Sequence, residues 1–399
     1  MNTNYAYDSV SHLLSVLHQA GLNTLDGASY TYDAAGNRTS KTNYLNGATS
    51  NYSYDPIYEL TQVTQGGGTT ESYSYDAVGN RLSSLSVPNY NYNVSNELTS
   101  NSNGSYTYDA NGNTLSDAQG RSFTWDFENR LTQAVNPGVG TTTFRYDPFG
   151  RRIQKSGPLG TTNYLYDGAA DDLLEETDSS GNVLATYARS KNIDEPLSEL
   201  RVGTTSYYEQ DGLGSVTSLS SSTAAIANAY VYDSFGKLSA STGTLANPFQ
   251  YTGREFDPET GVYYYRARYL DNNVGRFISE DPIQFRGGVN FYSYVLNSPI
   301  NRTDPSGLQS VGYDWTCIGK GGGWASPICK KCVYACVRND MSDRSVGLAL
   351  VSVDISLINQ KCPQAGGKCP WALFFQSSSS SGILNMSNSK LTGCQQFRW

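Results

Sequence analysis

The sequence predicts an all-β body of short hairpins followed by a small, cysteine-rich α+β tail. Three observations carry this expectation. Tyr and Gly are over-used, at 31 and 39 of 399 residues, while charged residues make up only 16%; aromatic rings suit a pleated surface and glycine supplies turns. A tetrapeptide of the form aromatic-x-aromatic-Asp, or a close variant, recurs from Tyr30 to Asp233. Beyond residue 308 the composition changes. All seven Cys lie there, with Trp315, Trp324, Trp371 and Trp399, whereas both His, His12 and His18, sit near the other end. Residues 309–399 hold nine Lys/Arg, four Asp and no Glu, a net +5 against −8 for the whole chain, which leaves −13 on residues 1–308. An acidic body joined to a small basic tail reads as two objects.

The repeat comes first in the chain. Its copies are Tyr30-Thr31-Tyr32-Asp33, Tyr52-Ser53-Tyr54-Asp55, Tyr73-Ser74-Tyr75-Asp76, Tyr90-Asn91-Tyr92-Asn93, Tyr106-Thr107-Tyr108-Asp109, Phe123-Thr124-Trp125-Asp126, Phe144-Arg145-Tyr146-Asp147, Tyr164-Leu165-Tyr166-Asp167 and Tyr230-Val231-Tyr232-Asp233. Several run into a glycine turn, as in Asp33-Ala34-Ala35-Gly36-Asn37-Arg38 and Asp147-Pro148-Phe149-Gly150-Arg151-Arg152. Aromatics at i and i+2 share one face of a strand. The Asp ends the strand by bonding backbone two residues on, and Gly accepts the positive φ of the reversal. Each repeat is therefore a β-hairpin of about 20 residues, and a lone hairpin is marginal in water. Neighbours must pair side by side into one winding sheet, with stacked rings contributing about 0.2–1 kcal/mol per cross-strand pair. These rings read as scaffold; a carbohydrate-stacking surface is the second reading.

The pattern YxYDxxGNR resembles the YD repeat of the Rhs family, of toxin-complex C subunits and of teneurins. It covers residues 1–250 and implies a β-sheet that spirals into a partly or fully closed shell around a cargo. Residues 251–308 are similar to the Rhs-associated core domain in many ordered pieces. Among them are Gly253-Arg254-Glu255-Phe256-Asp257, Tyr263-Tyr264-Tyr265-Arg266-Ala267-Arg268-Tyr269, Gly275-Arg276-Phe277-Ile278-Ser279-Glu280-Asp281-Pro282 and Asp304-Pro305-Ser306-Gly307-Leu308. The resemblance implies an intramolecular aspartic protease. It would use Asp281 and Asp304, with Arg276 as orienting or electrostatic help, to cut between Leu308 and Gln309.

Such chemistry needs two carboxyl groups, one to activate water and one to protonate the carbonyl or leaving nitrogen. Held close, they cannot both ionise, so one keeps a proton near working pH. Because the substrate is the same chain, effective molarities on the order of 10⁵ M let modest groups suffice for one turnover. Asp-Pro pairs also mark turns, and each Asp alone reads as structural. Acid lability of Asp-Pro would break the chain after Asp304, not Leu308.

In Rhs proteins the segment after the cut is the variable cargo, here residues 309–399. It contains no His, which argues against His-dependent nucleases and Cys-His proteases. Cys329, Cys332 and Cys336 fall at i, i+3 and i+7, one face of a helix through residues 329–339. With Cys317, Cys362, Cys369 and Cys394 they are disulfide candidates for an exported protein. A zinc site on Cys329, Cys332 and Cys336 is the alternative. No cofactor is implied. The apolar run 345–359 reads as a buried core element and is too short to span a membrane.

The expected function is a polymorphic-toxin carrier, secreted or at the cell surface, that encloses its own C-terminal domain. Its expected partners are an immunity protein and a secretion apparatus, with nucleic acid or membrane only as the target of the tail. The alternatives are a cell-surface adhesion or carbohydrate-binding protein, and an inactive remnant of a longer Rhs protein. The N-terminus shows no signal peptide, and the chain opens inside the repeat pattern, as the C-terminal part of a longer ancestor would.

Overall fold

The structure, a computed structural model, describes residues 2–168 and 172–308, and beyond these the strand backbone of 311–312, 315–323, 331–338 and 349–354. Contacts divide the chain into two units, Met1–Gly312 and Tyr313–Trp399.

In the first unit every strand pairs with its sequence neighbour, all antiparallel. An eight-stranded sheet runs from Asn2–Tyr7 to Arg81–Ser84, a three-stranded one from Tyr90–Tyr92 to Gly104–Ser105, and a fourteen-stranded one from Thr107–Tyr108 to Leu238–Thr242. The sheets do not close into a barrel.

The repeat explains its own geometry. In the Asp147 turn, one carboxylate oxygen accepts the N–H groups of Phe149 and Arg151, both at 2.9 Å, while Gly150 donates to the Asp147 carbonyl at φ +83°. Asp33, Asp76 and Asp109 make the same two backbone bonds, and there an Asn four residues on also reaches the second carboxylate oxygen. The first aromatic of most repeats is buried, as at Tyr30, Phe123 and Phe144. The second uses its polar tip to lock onto the preceding repeat. Tyr54 donates to the Arg38 carbonyl at 2.6 Å, Tyr75 to Leu60 at 2.9 Å, Tyr146 to Leu131 at 2.7 Å, and Trp125 through Nε1 to Thr114 at 2.7 Å. Within each sheet a hairpin is thus tied to the one before it by a ring as well as a ladder, and at the sheet breaks before Tyr90–Tyr92 and Thr107–Tyr108 the Tyr92 and Tyr108 hydroxyls make the ring contact without one.

Residues 251–308 form the hub of this unit. A four-stranded sheet, Glu255–Asp257 to Arg276–Phe277, carries Tyr263, Tyr264 and Tyr265, each at most 2% exposed. These rings and Leu270, Phe277 and Tyr294 share core clusters with wall residues Leu60, Phe123, Leu131 and Phe235. Polar contacts reach the wall at successive repeats. Asn301 meets Arg38, Asn297 meets Glu59, Asn290 meets Asn80, Asp271 meets Arg121, Asp257 meets Arg152, and Arg254 meets Asp194.

In the second unit the described elements are strands: Trp315–Gly323, Lys331–Arg338 and Ala349–Asp354 form one antiparallel sheet. This corrects the helix expected through residues 329–339. Cys332, Tyr334 and Cys336 alternate with Val333, Ala335 and Val337, and β-branched and aromatic residues at period two favour a strand over the i, i+3, i+7 helical face. The register sets Cys317 opposite Cys336 and Cys332 opposite Val353. Cys329, Cys362, Cys369 and Cys394 lie outside the described residues.

Candidate functional site

Arg268 opens the strand Arg268–Asp271, pairing with Tyr265 across a tight turn in which Arg266 takes φ +54°. This places the Arg268 side chain, 3% exposed, beneath two later segments. Its guanidinium lies 3.6 Å from the centre of the Phe277 ring and donates to the carbonyls of Phe291, at 2.9 Å, and Gly307. One of its terminal nitrogens meets both predicted carboxylates, Asp281 Oδ2 at 3.0 Å and Asp304 Oδ2 at 3.3 Å. The two acids therefore share one cation.

Each carboxylate also organises the chain beside it. Asp281 Oδ1 accepts the Ile283 amide at 3.0 Å. Asp304 Oδ1 accepts the Leu308 amide at 3.1 Å and the Ser306 hydroxyl at 3.3 Å, so it folds the Asp304–Leu308 segment around itself. That loop sits on the 265–268 turn: Ala267 donates to the Ser306 carbonyl at 3.2 Å, and a Cβ on Gly307 would collide with the Tyr265 carbonyl. Only glycine, here at φ +69°, permits the approach.

A second glycine reveals where Leu308 points. A Cβ on Gly287 would overlap Asp281 Oδ2 and lie 3.3 Å from the Leu308 carbonyl oxygen. Asp281 and the Leu308 carbonyl thus border one small space that Gly287 leaves open.

The cluster is buried, with Asp281 5% and Asp304 1% exposed. Two carboxylates against one guanidinium leave an excess negative charge, which a low-dielectric site resists by taking up a proton. Burial accordingly pushes the Asp281 carboxyl above its ordinary range, only partly offset by Arg268, and the same burial pushes Arg268 down.

Arg276 lies elsewhere. It is packed over Tyr92 and Tyr292, with ring centres 5.0 and 4.7 Å away, and donates to the Asn96 carbonyl at 2.5 Å, joining hub to wall. The residues sequence reasoning missed are Arg268 and Gly287. Gln309 lies outside the described residues. The repeat aromatics with large buried surfaces, such as Tyr30 and Phe144, are committed to packing.

A family model described as Teneurin YD-shell matches residues 41–300. The chain belongs to this YD-shell family. Among curated relatives, the YD-shell chain is 35% identical over 310 residues to the tRNA3(Ser)-specific nuclease WapA of Bacillus spizizenii, covering 75% of this chain and 12% of that protein. It is 29% identical over 337 residues to double-stranded DNA deaminase toxin A of Burkholderia cenocepacia, covering 76% and 22%. The chain therefore spans only a fraction of these relatives' length. The crystal structure of TcdB2-TccC3-Cdc42 superposes with a TM-score of 0.63 at 21% identity, over 77% of this chain and 18% of that one, and shows the same shell fold.

Proposed function

We propose that this YD-shell protein is a toxin carrier that cuts itself between Leu308 and Gln309. Residues 1–250 would be the wall, 251–308 the self-cutting core and 309–399 the cargo, with export and an immunity partner as the expected setting. The observation that carries the reading is the convergence on Leu308. Asp304 holds its amide, Asp281 borders its carbonyl, and Arg268 ties the two acids together. The names of the relatives, two of them a nuclease and a deaminase toxin, support the carrier part.

In the proposed reaction, protonated Asp281 hydrogen-bonds the Leu308 carbonyl oxygen and makes its carbon electrophilic. Asp304 accepts a proton from water as the water oxygen adds to that carbon. The C–N bond to Gln309 then breaks, the proton passes to the departing nitrogen, and the products are a carboxyl group on Leu308 and an amine on Gln309. The chain itself supplies the substrate, so orientation replaces binding.

Denaturing electrophoresis and intact-mass measurement of freshly purified full chain test this. Two fragments, the larger ending at Leu308, are expected from wild type, and intact chain from Asp281→Asn and Asp304→Asn. An uncut wild-type chain, or a cut at another bond, would overturn the proposal.

A further inference from the structure

The shell wall has a seam where strands of its eight-stranded sheet meet strands late in its fourteen-stranded sheet. Strands Leu13–Ala20 and Asn23–Tyr32 lie against Thr204–Gln210 and Val216–Ser221 and share no backbone ladder with them. Side chains, reaching other side chains and backbone groups, make the junction. His18 Nε2 contacts the Gln210 carbonyl at 2.8 Å, Lys41 reaches Asp211 at 2.5 Å, and Arg38 donates to the Gly212 carbonyl at 2.7 Å.

Two pairs of acids face each other across this seam. In the first, Asp26 Oδ2 accepts hydroxyl protons from both Thr217 and Ser218 at 2.6 Å. Glu209 receives the Ser220 hydroxyl on Oε1 at 2.5 Å, while among the described residues its Oε2 has only the Ser218 oxygen, 3.5 Å away. Ser218 has a single proton, and Asp26 takes it. Glu209 Oε2 is satisfied when it carries a proton of its own and donates to Ser218. Asp26 is 1% and Glu209 2% exposed, and neither has a salt-bridge partner among the described residues. The neighbouring His18 is pushed towards its neutral form by burial, and Lys41 is engaged by Asp211.

In the second pair, both Glu71 oxygens accept the Ser234 amide, at 3.2 and 3.1 Å, and Glu71 also takes the Tyr73 hydroxyl at 2.7 Å. Asp233 stands beside it, closing the last repeat turn through the Phe235 and Lys237 amides. The nearby cation, Arg81, is stacked between the Tyr73 and Phe235 rings at 4.5 and 4.2 Å, and its Nε and one terminal nitrogen find no hydrogen-bond partner among the described residues. It offers partial compensation for two acids.

We propose that this seam is an acid-closed latch, shut while one carboxyl of each facing pair is protonated and loosened when both members ionise. Each pair takes one acid from the eight-stranded sheet, Asp26 on Asn23–Tyr32 and Glu71 on Gly68–Tyr75, and one from late in the fourteen-stranded sheet, Glu209 on Thr204–Gln210 and Asp233 just after Ile226–Tyr232. Full ionisation sets like charges across a boundary that has no ladder to resist them, and local opening would hydrate them. Burial and the facing acid push Glu209 up to about 8 and Asp233 up to about 7, and burial raises Glu71 as well, so the change falls around neutral pH. A wall so built is tight in mildly acidic surroundings and loosens in neutral to alkaline ones.

Hydrogen–deuterium exchange of the full chain, corrected for intrinsic rates, tests the latch. Between about pH 5.5 and about pH 8.5, peptides spanning 23–32 and 204–221 on the Glu209 side, and 68–75 and 226–237 on the Glu71 side, are expected to lose protection at least about tenfold more than wall peptides spanning 122–146. Glu209→Gln and Glu71→Gln, each a neutral isostere, should each suppress the loosening on its own side, and the double variant should abolish it. Seam protection that follows the rest of the wall with pH would overturn the proposal, as would a wild-type response in both single variants. Neither readout depends on chain cleavage.

Discussion

Arg268 and Gly287 decide what two acidic side chains can do to Leu308. Arg268→Lys keeps a positive charge but loses the planar fork that reaches Asp281, Asp304 and the Phe291 and Gly307 carbonyls together. Self-cutting in this variant is expected to slow by about 10²-fold, the cost of misplacing reacting groups by about an ångström; time-resolved electrophoresis after rapid purification measures it. Gly287→Ala is a sharper probe. Its backbone, at φ −83°, accepts any residue, so the added methyl acts only on the Asp281 carboxylate and the space before the Leu308 carbonyl. Cutting should slow at least about tenfold with the melting temperature nearly unchanged; unaltered cutting would show that this space is not used. The two acids were legible in the sequence because their motifs mark them. The arginine was not. Arg266, Arg268 and Arg276 all lie in matched motifs, and only the strand register that buries Arg268 under both loops, while turning Arg276 to Tyr92, separates them.

At the scale of elements, the period-two rings and the Asp-x-x-Gly turn made the hairpins readable, since each depends on contacts within a few residues. What spacing does not reveal is that the second aromatic bonds the preceding repeat, because that partner lies about one repeat upstream in sequence. Tyr146 shows what the contact contributes. Its buried hydroxyl donates to Leu131 at 2.7 Å and lies 2.8 Å from the Tyr269 hydroxyl, linking wall to hub. Tyr146→Phe leaves those two groups short of a partner and should destabilise the shell by about 1–2 kcal/mol; denaturant unfolding followed by tyrosine fluorescence reads it. The tail fails in the opposite direction. Three cysteines at helical spacing outweighed the alternation of Cys332, Tyr334 and Cys336 with Val333, Ala335 and Val337, which the strand Lys331–Arg338 follows.

Across the whole shell unit, stability depends on two populations of buried acids with opposite pH signs. Asp194, Asp211 and Asp257 are held below the ordinary carboxylate range: burial opposes this, but Arg254, Lys41 and Arg152 respectively overcome it. These pairs stabilise the fold above the unfolded-chain value of about 4 and lose that contribution as pH falls further. Glu209, raised to about 8, and Glu59 and Asp233, each raised to about 7, do the reverse. The folded state keeps protons that the unfolded chain has released by about pH 5, so unfolding becomes easier as pH climbs from about 4 towards 7–8 and levels off beyond. Together the two populations place maximal stability in mild acid, at about pH 4–6, rather than at neutrality. The melting temperature should therefore fall from about pH 5 to about pH 8.5, and Glu209→Gln, which has no proton to lose, should flatten that fall. A melting temperature that rises over this interval would mean that the paired aspartates, not the isolated acids of the seam and wall, govern the shell.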